Sequence, residues 1–333
     1  MKKRWRIYGL LLMALMTAIL VLGACSNDTE PAETSGGVAP TADTSILDPQ
    51  TKTFEAANGS IEVPADPQRI VTLAPNYAGY LLALGVTPVG VPEFTLGNPY
   101  LKDGLEGVAN LGANAALEPS IEQVLALKPD LIIALTVVKN VDELEKIAPV
   151  VTFDATEDNK KVLVDLGKLT NREAQASAWL EQWNNKINAI KPQVEAAVKD
   201  RTFSIMYPSA KGVYIFREGY GRGTEILYGD FGLKMPDKAA QTFEEGKGFS
   251  LVSLESMPEL AGDYIITAPW LGDAAGADTV YDSSIWKGLP AVKEGRAFTV
   301  DYNIFTFSDP YSWEGQLDII LDHLLPDRDK SND

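Results

Sequence analysis

The chain has 333 residues, with 29 Lys and Arg against 46 Asp and Glu, a formal net charge of −17, one His and one Cys. A field of that sign repels nucleic acid and anionic lipid head groups, which removes polyanion binding as a main function. A single cysteine allows no disulfide within the chain, and a single histidine cannot build the multi-histidine site of a zinc or manganese receptor.

The chain opens with a basic cluster, Lys2, Lys3, Arg4 and Arg6, and an apolar run from Gly9 to Leu22. That run is shorter than the roughly 20 residues a spanning helix needs, so residues 1–24 read as a signal peptide and not as part of the fold. Leu22-Gly23-Ala24-Cys25 resembles the lipobox of bacterial lipoproteins, in which the cysteine is acylated and becomes the new N-terminus. The resemblance makes Cys25 the lipid attachment site, with two or more acyl chains holding a soluble domain at the membrane. Four basic and no acidic residues leave with the leader, so the formal charge moves from −17 to −21. Residues 25–52 are Thr, Ala, Glu, Pro, Ser and Gly with few large apolar side chains, and read as a flexible tether. A coil of about 25 residues spans some 25 to 30 Å.

From there β-branched runs alternate with helical patterns, which predicts an α/β fold. Strands are expected at Arg69–Leu73, Pro88–Val91, Leu131–Ala134 and Val150–Phe153, with helices near Tyr77–Leu84, Ser120–Leu127 and Val141–Ile147. These make a first lobe over residues 53–168. Ala176, Trp179, Trp183, Ile187, Ile190, Val194 and Val198 then recur every three or four residues and mark one long helix, assigned to residues 169–200. Thr170 followed by Glu173 reads as a capping box at its start, and Pro192 as a kink within it. A second lobe over 201–326 follows, with strands at Phe203–Tyr207, Val213–Phe216, Tyr264–Thr267 and Ala297–Val300, and a helix opened by Asp309-Pro310.

The lobes carry an internal repeat at an offset of 133 residues: Ser120-Ile121-Glu122 matches Ser253-Leu254-Glu255, and Asp130-Leu131-Ile132-Ile133 matches Asp263-Tyr264-Ile265-Ile266. Duplication of one half accounts for both copies falling at equivalent places. In open α/β sheets ligands bind beyond the carboxyl ends of strands, which selects the loops after each strand. Those loops hold Tyr77, Phe94, Arg217, Tyr220, Arg222, Trp270, Tyr302 and Phe305, rich in aromatic side chains and poor in charge. Rigid aromatics with polar tips suit a bulky ligand more than a bare ion. Arg222, between Gly221 and Gly223, sits on backbone free to turn sharply, and its planar fork of donors suits an oxygen-rich face. The alternative for Arg222 is a surface ion pair with Glu218 or Glu225. No G-x-S-x-G elbow is visible and Gly246-Lys247-Gly248 lacks Walker spacing, so an enzyme is not expected.

Asp66-Pro67-Gln68-Arg69-Ile70-Val71, the segment Leu117–Ile133 and the segment Val252–Ile266 resemble the periplasmic-binding-protein family that serves iron-siderophore, haem and cobalamin importers. Tyr220–Tyr228 followed by Phe231–Met235, and Ser308-Asp309-Pro310-Tyr311, look like the ferric-hydroxamate-binding lipoproteins of Gram-positive bacteria. The resemblance spans about Phe54 to Leu325. It implies two Rossmann-like α/β lobes joined by a single long helix with a ligand cleft between them. It also implies a lipid-anchored substrate-binding protein of an ABC importer that captures a ferric siderophore. In the proteins it resembles, the arginine matching Arg222 contacts the ligand and the position two before it is often Trp, where this chain has Tyr220. Glu122 and Glu255 match the glutamates such proteins dock onto permease arginines, one per lobe. The implied partners are a ferric siderophore, an ABC permease dimer and the membrane through the lipid anchor, with the chain itself a monomer. No cofactor and no protein-held metal are implied, since the siderophore holds the iron. Catecholate chelates carry several negative charges, and the loops offer only Arg217, Arg222 and Lys139 against them. A hydroxamate or mixed citrate-hydroxamate chelate is therefore the expected ligand. A haem or cobalamin receptor, or an adhesion lipoprotein that reuses the fold, are the alternatives.

Overall fold

Two runs buried along their whole length, the β-branched Ile70-Val71-Thr72 and the mixed Phe203–Ser209, form the middles of two separate five-stranded sheets. The computed structural model describes residues 50–326, so Cys25 and the leader lie outside the described residues. The first sheet comprises β3 (Ile70–Thr72), β4 (Gly90–Val91), β5 (Ala109–Asn110), β6 (Leu131–Leu135) and β7 (Val150–Phe153) in the order β5-β4-β3-β6-β7, all parallel. Continuous apolar strands of this kind follow from helices covering both faces of a parallel sheet. The second comprises β8 (Phe203–Ser209), β9 (Gly212–Phe216), β10 (Phe249–Val252), β11 (Tyr264–Thr267) and β12 (Ala297–Thr299) in the order β10-β9-β8-β11-β12. Here β9 is antiparallel to both neighbours, while β8, β11 and β12 are parallel. The sequence reading missed the antiparallel hairpin β1 (Thr51–Ala56) and β2 (Gly59–Pro64), whose first strand begins inside the stretch assigned to the tether.

The repeat extends beyond sequence. In the first lobe the Asp130 carboxylate accepts from the backbone N–H groups of Gln68 (2.7 Å) and Arg69 (2.9 Å), pinning the entrance to β3, and β6 then pairs with β3. In the second, Asp263 accepts from the backbone N–H of Thr202 (2.8 Å) at the entrance to β8, and β11 pairs with β8. Ser120 and Ser253 each accept a backbone N–H three residues on, from Gln123 and Ser256. A side chain that satisfies an orphan donor at a helix start contributes about 1 kcal/mol, so the same device recurs where each half needs it.

Between β7 and β8 the chain forms a helix over Asn159–Leu169 and the 26-residue helix Glu173–Val198, which continues through Pro192. The expected capping box is not formed. Arg172 occupies the N-cap with no side-chain bond, and the Thr170 hydroxyl instead donates to the Leu166 carbonyl, closing the preceding helix. The sequence reading began the long helix at Thr170 and missed the helix Asn159–Leu169 before it; the two are parted at Thr170-Asn171-Arg172, where Asn171 takes a left-handed turn with φ 58°.

The last helix, Pro310–Leu324, packs against the first-lobe helix Tyr77–Ala83 and against Glu173–Val198 as well as against Tyr302–Phe305 of the second half. It starts at Asp309, which is fully buried and accepts from the backbone N–H groups of Tyr311 and Ser312, both at 3.1 Å, and from the Ser312 hydroxyl at 2.6 Å. Gly79 is required opposite, because a Cβ there would lie 2.0 Å from Asp309 Oδ1. Burial pushes the Asp309 carboxyl up to about 6 from 3.8 despite those hydrogen bonds. The folded state therefore holds this proton more tightly than the unfolded chain. The resulting stability is present below pH ~3.8 and is lost as pH rises through about 6, an amount of about 3 kcal/mol. Asp309→Asn keeps a capping oxygen without the charge. Urea unfolding of both proteins should show the variant gaining about 2.4 kcal/mol relative to the parent between pH 4 and pH 7. A difference independent of pH would remove Asp309 from this role.

Candidate functional site

The loops at the carboxyl ends of the first sheet come together as predicted by sheet geometry. Ala74 to Tyr77 follow β3, Phe94 follows β4, and Asp154, Ala155, Glu157 and Asn159 follow β7. They line a cavity of about 250 Å³ whose other wall is Gly219, Tyr220, Arg222, Thr306 and Ser308 from the second half of the chain. A second cavity of about 400 Å³, lined in part by Arg217, Glu218 and Lys160, shares Glu157, Asn159, Gly219 and Tyr220 with the first. The two adjoining spaces reach the size of sites that enclose molecules larger than an ion.

Next to the opposite wall the second sheet carries an aromatic face. Tyr214 and Phe216 alternate on one face of β9, and the register sets Tyr207 of β8 opposite Tyr214 and Phe249 of β10 opposite Phe216. On that face Trp270 stacks on Tyr214 with centroids 4.0 Å apart, and Tyr220 lies 5.7 Å from Phe249. Tyr302 bridges from Trp270 (6.2 Å) to Phe94 (6.4 Å), and Phe94 stacks on Phe307 at 5.1 Å. The strand-end rule overlooked Tyr207, Tyr214, Phe216 and Phe249. The period-two alternation Tyr214-Ile215-Phe216 was the available signal for a sheet face.

Of the sequence-predicted residues, Tyr77, Phe94, Tyr220 and Arg222 line the first cavity, and Arg217 and Tyr220 the second. Trp270 and Tyr302 belong to the aromatic array beside them. Phe305 lines neither cavity and is fully buried, with Cε1 3.3 Å from where a Gly223 Cβ would lie; it is Phe307, also fully buried, that stacks on Phe94. Phe305 is the last residue of the short helix Tyr302–Phe305, and Phe307 lies two residues on, beyond its C-cap Thr306. Lys139 is also elsewhere, paired with Glu118 at an exposed edge. Glu122, in the first turn of the helix Ile121–Ala126, and Glu255, in the short helix Leu254–Ser256, are both exposed on their lobes.

Arg222 sits in a turn of three consecutive left-handed residues, Gly221 (φ 71°), Arg222 (φ 64°) and Gly223 (φ 82°). For a residue with a Cβ this conformation costs roughly 1–2 kcal/mol, so it persists only where the surroundings hold it. Arg222 Nη1 donates to the Tyr220 carbonyl at 2.8 Å, and the guanidinium carbon lies 4.4 Å from the Phe216 ring centroid and 5.5 Å from that of Tyr220. The ion pair with Glu218 or Glu225 is not formed among the described residues; Glu225 is taken up by other groups. Arg222 Nε, the Tyr207 hydroxyl and the Thr306 hydroxyl are buried without a hydrogen-bond partner, an uncommon state for polar atoms beside a cavity. Gly248 makes room for the stacking residue: a Cβ there would lie 1.9 Å from the Tyr220 ring.

The first cavity is lined by Asp154, Glu157 and Arg222, and the second adds Asp158, Lys160, Arg217, Glu218, Glu225 and Asp230, more charge than the sequence of the loops suggests. Asp154 faces the first cavity as an anion, its carboxyl held below the usual range by the backbone N–H and hydroxyl of Thr156. Burial, by contrast, raises Glu225, Tyr77 and Tyr207 above their ordinary values, and for Glu225 hydrogen bonds from Gly221, Ser308 and Thr224 act against that rise. Among the described residues no group of three or more His, Cys, Asp or Glu is placed to hold a metal ion. His323 lies on the C-terminal helix, stacked on Phe298 at 3.9 Å.

Comparison with known proteins accords with this geometry. A family model described as periplasmic binding protein matches residues 70–303. The iron(3+)-hydroxamate-binding protein FhuD of Bacillus subtilis is 40% identical over 311 residues, covering 92% of this chain and 94% of that protein. A crystal structure of a FhuD-fold periplasmic binding protein component of a Fep/Fec-like ferrichrome ABC transporter from Bacillus subtilis superposes with TM-score 0.74 at 40% identity, over 81% of this chain and 99% of that one. FhuD2 of Staphylococcus aureus with bound ferrioxamine B gives 0.71 at 30% identity, over 78% of this chain and 99% of that one. With a match of this extent and two α/β halves bordering one aromatic cleft, the chain belongs to the periplasmic binding protein family.

Proposed function

We propose that this protein is the substrate-binding component of an ABC importer and that its cargo is a ferric siderophore of hydroxamate or mixed citrate-hydroxamate type. It acts as a carrier and not as a catalyst. The observation that carries the reading is Arg222: one guanidinium, preset over Phe216 beside the cavity, with a buried Nε left without a partner. A guanidinium so placed presents donors in a fixed plane to ligand oxygens, and its rotamer freedom is already lost before binding. The cavity that Arg222 lines also holds Asp154 and Glu157, so a chelate with several negative charges would be buried against like charge. A neutral or weakly charged hydroxamate complex meets no such penalty, and its apolar backbone suits the rings of Tyr77, Phe94 and Tyr220.

In this reading Cys25 carries the lipid that holds the protein on the extracytoplasmic face of the membrane, and Glu122 and Glu255 meet basic groups on the two halves of a permease. Native mass spectrometry against a panel of ferric siderophores tests the cargo: one ferric hydroxamate should be retained per chain, and catecholate complexes should not. Retention of haemin or a cobalamin alone, or of nothing, would overturn it. In cells, Glu122→Ala combined with Glu255→Ala should stop uptake while binding in vitro stays unchanged, and Cys25→Ala should release the protein from the membrane.

A further inference from the structure

Glu225 is an acid in an unusual place. It is nearly enclosed, and its bonds hold the Arg222 turn, the other lobe and Ser308. Its Oε1 accepts from the backbone N–H of Gly221 at 2.8 Å and from Asn159 Nδ2 at 2.8 Å, and its Oε2 from the Thr224 hydroxyl at 3.2 Å. The Thr224 oxygen in turn accepts from the backbone N–H of Tyr220 at 3.2 Å. The residues on both sides of Arg222 are thus wrapped around one carboxylate, which supplies the outside restraint that a left-handed arginine needs. Asn159 begins the helix that follows β7 of the first sheet, and also holds the Tyr80 hydroxyl at 3.2 Å.

The local backbone reinforces this arrangement. Residues Glu225–Asp230 form a π-helix, a rare wide turn closed by bonds between residues five apart. In an α-helix residues five apart point about 140° away from each other. The wider turn brings Glu225 and Asp230 toward one side, where Glu225 meets Asn159 and Asp230 meets the adjacent Lys160. Two neighbouring residues of the first lobe therefore hold the two ends of one turn of the second.

We propose that Glu225 is a positioning residue for the ligand site: its carboxylate sets the Arg222 turn and ties that turn to Asn159 of the first lobe. The proposal rests on the siderophore reading above, and the test separates the two. Ferrioxamine B is the probe, with binding followed by tryptophan fluorescence in a double-mutant cycle of Glu225→Ala and Arg222→Ala. Glu225→Ala should weaken binding about 10-fold in the parent but less than about threefold in the Arg222→Ala background, because the residue acts through Arg222. Glu225→Gln keeps an oxygen for Gly221 and Asn159 and an amide that can donate to Thr224, and should bind within about twofold of the parent. Asn159→Ala should speed dissociation while leaving association unchanged. Should Glu225→Ala fail to fold, Thr224→Val takes its place in the cycle, since it removes the hydroxyl joining Tyr220 to Glu225. Parent-like affinity in the folded alanine variant, or additive losses in the cycle, would overturn the proposal while leaving the siderophore reading intact. Failure of the parent to bind any ferric hydroxamate would overturn both.

Discussion

Replacing Arg222 with alanine should weaken binding of a ferric hydroxamate about 100-fold and leave the fold standing. The expected loss is about 2.7 kcal/mol, the size of one or two charge-assisted hydrogen bonds made away from bulk water. The fold should survive because the guanidinium contributes little to packing beyond its contact with Phe216, worth about 0.5–2 kcal/mol. Two further substitutions separate positioning from charge. Arg222→Lys keeps the charge but loses the planar fork and the stacking, so it should recover only a minor part of the affinity. Arg222→Gly removes the cost of a left-handed side-chain-bearing residue and should be more stable than Arg222→Ala by about 1 kcal/mol while binding no better. Fluorescence titration and urea unfolding of the four proteins read the two quantities independently. An alanine variant that binds within threefold of the parent would place the ligand somewhere other than beside this turn.

That Arg222 could be singled out from sequence has a simple cause: Gly221 and Gly223 flank it, and glycine on both sides of a charged residue reports a backbone constraint without any tertiary information. Four of the five parallel strands of the first sheet were legible for a similar reason, since β-branched runs such as Ile132-Ile133 and Val150-Val151 have no other good use between polar loops, whereas the two-residue edge strand Ala109–Asn110 was missed. What escaped depended on distance along the chain. Glu225 meets Asn159 across 66 residues and Asn98 meets Ser312 across 214, and no local pattern announces either pair. Phe305 and Phe307 illustrate the intermediate case, in which composition places an aromatic pair in the right loop but only the folded backbone shows that Phe307, not Phe305, reaches Phe94. The Thr170 to Glu173 spacing matched a capping box, yet the hydroxyl was already engaged by the helix before it. A cap motif is a competition between two helices wherever one ends as the next begins.

The largest loss of stability is expected at Trp183, the buried centre of a three-tryptophan contact. Its ring lies 5.4 Å from Trp179 on the same helix and 6.0 Å from Trp313 on the C-terminal helix, while Trp179 and Trp313 approach to 5.6 Å. Trp183 Nε1 also donates to Asp230 Oδ2 at 2.8 Å, and Asp230 is the acid that Lys160 holds at the far end of the π-helix. Trp183→Ala removes a large apolar surface and leaves a void at the junction of three elements, with an expected cost of about 3–5 kcal/mol. Trp183→Phe keeps most of the packing but takes a donor from a buried carboxylate, and should cost about 1.5–3 kcal/mol. Because Lys160 remains, Asp230 is not abandoned in the phenylalanine variant, which is why its loss should stay below that of alanine. Urea unfolding checks both values, and the order of the two variants matters more than either number. If Trp183→Phe were as damaging as Trp183→Ala, the hydrogen bond to Asp230, not the packed rings, would be the element that holds the long helix to the second lobe.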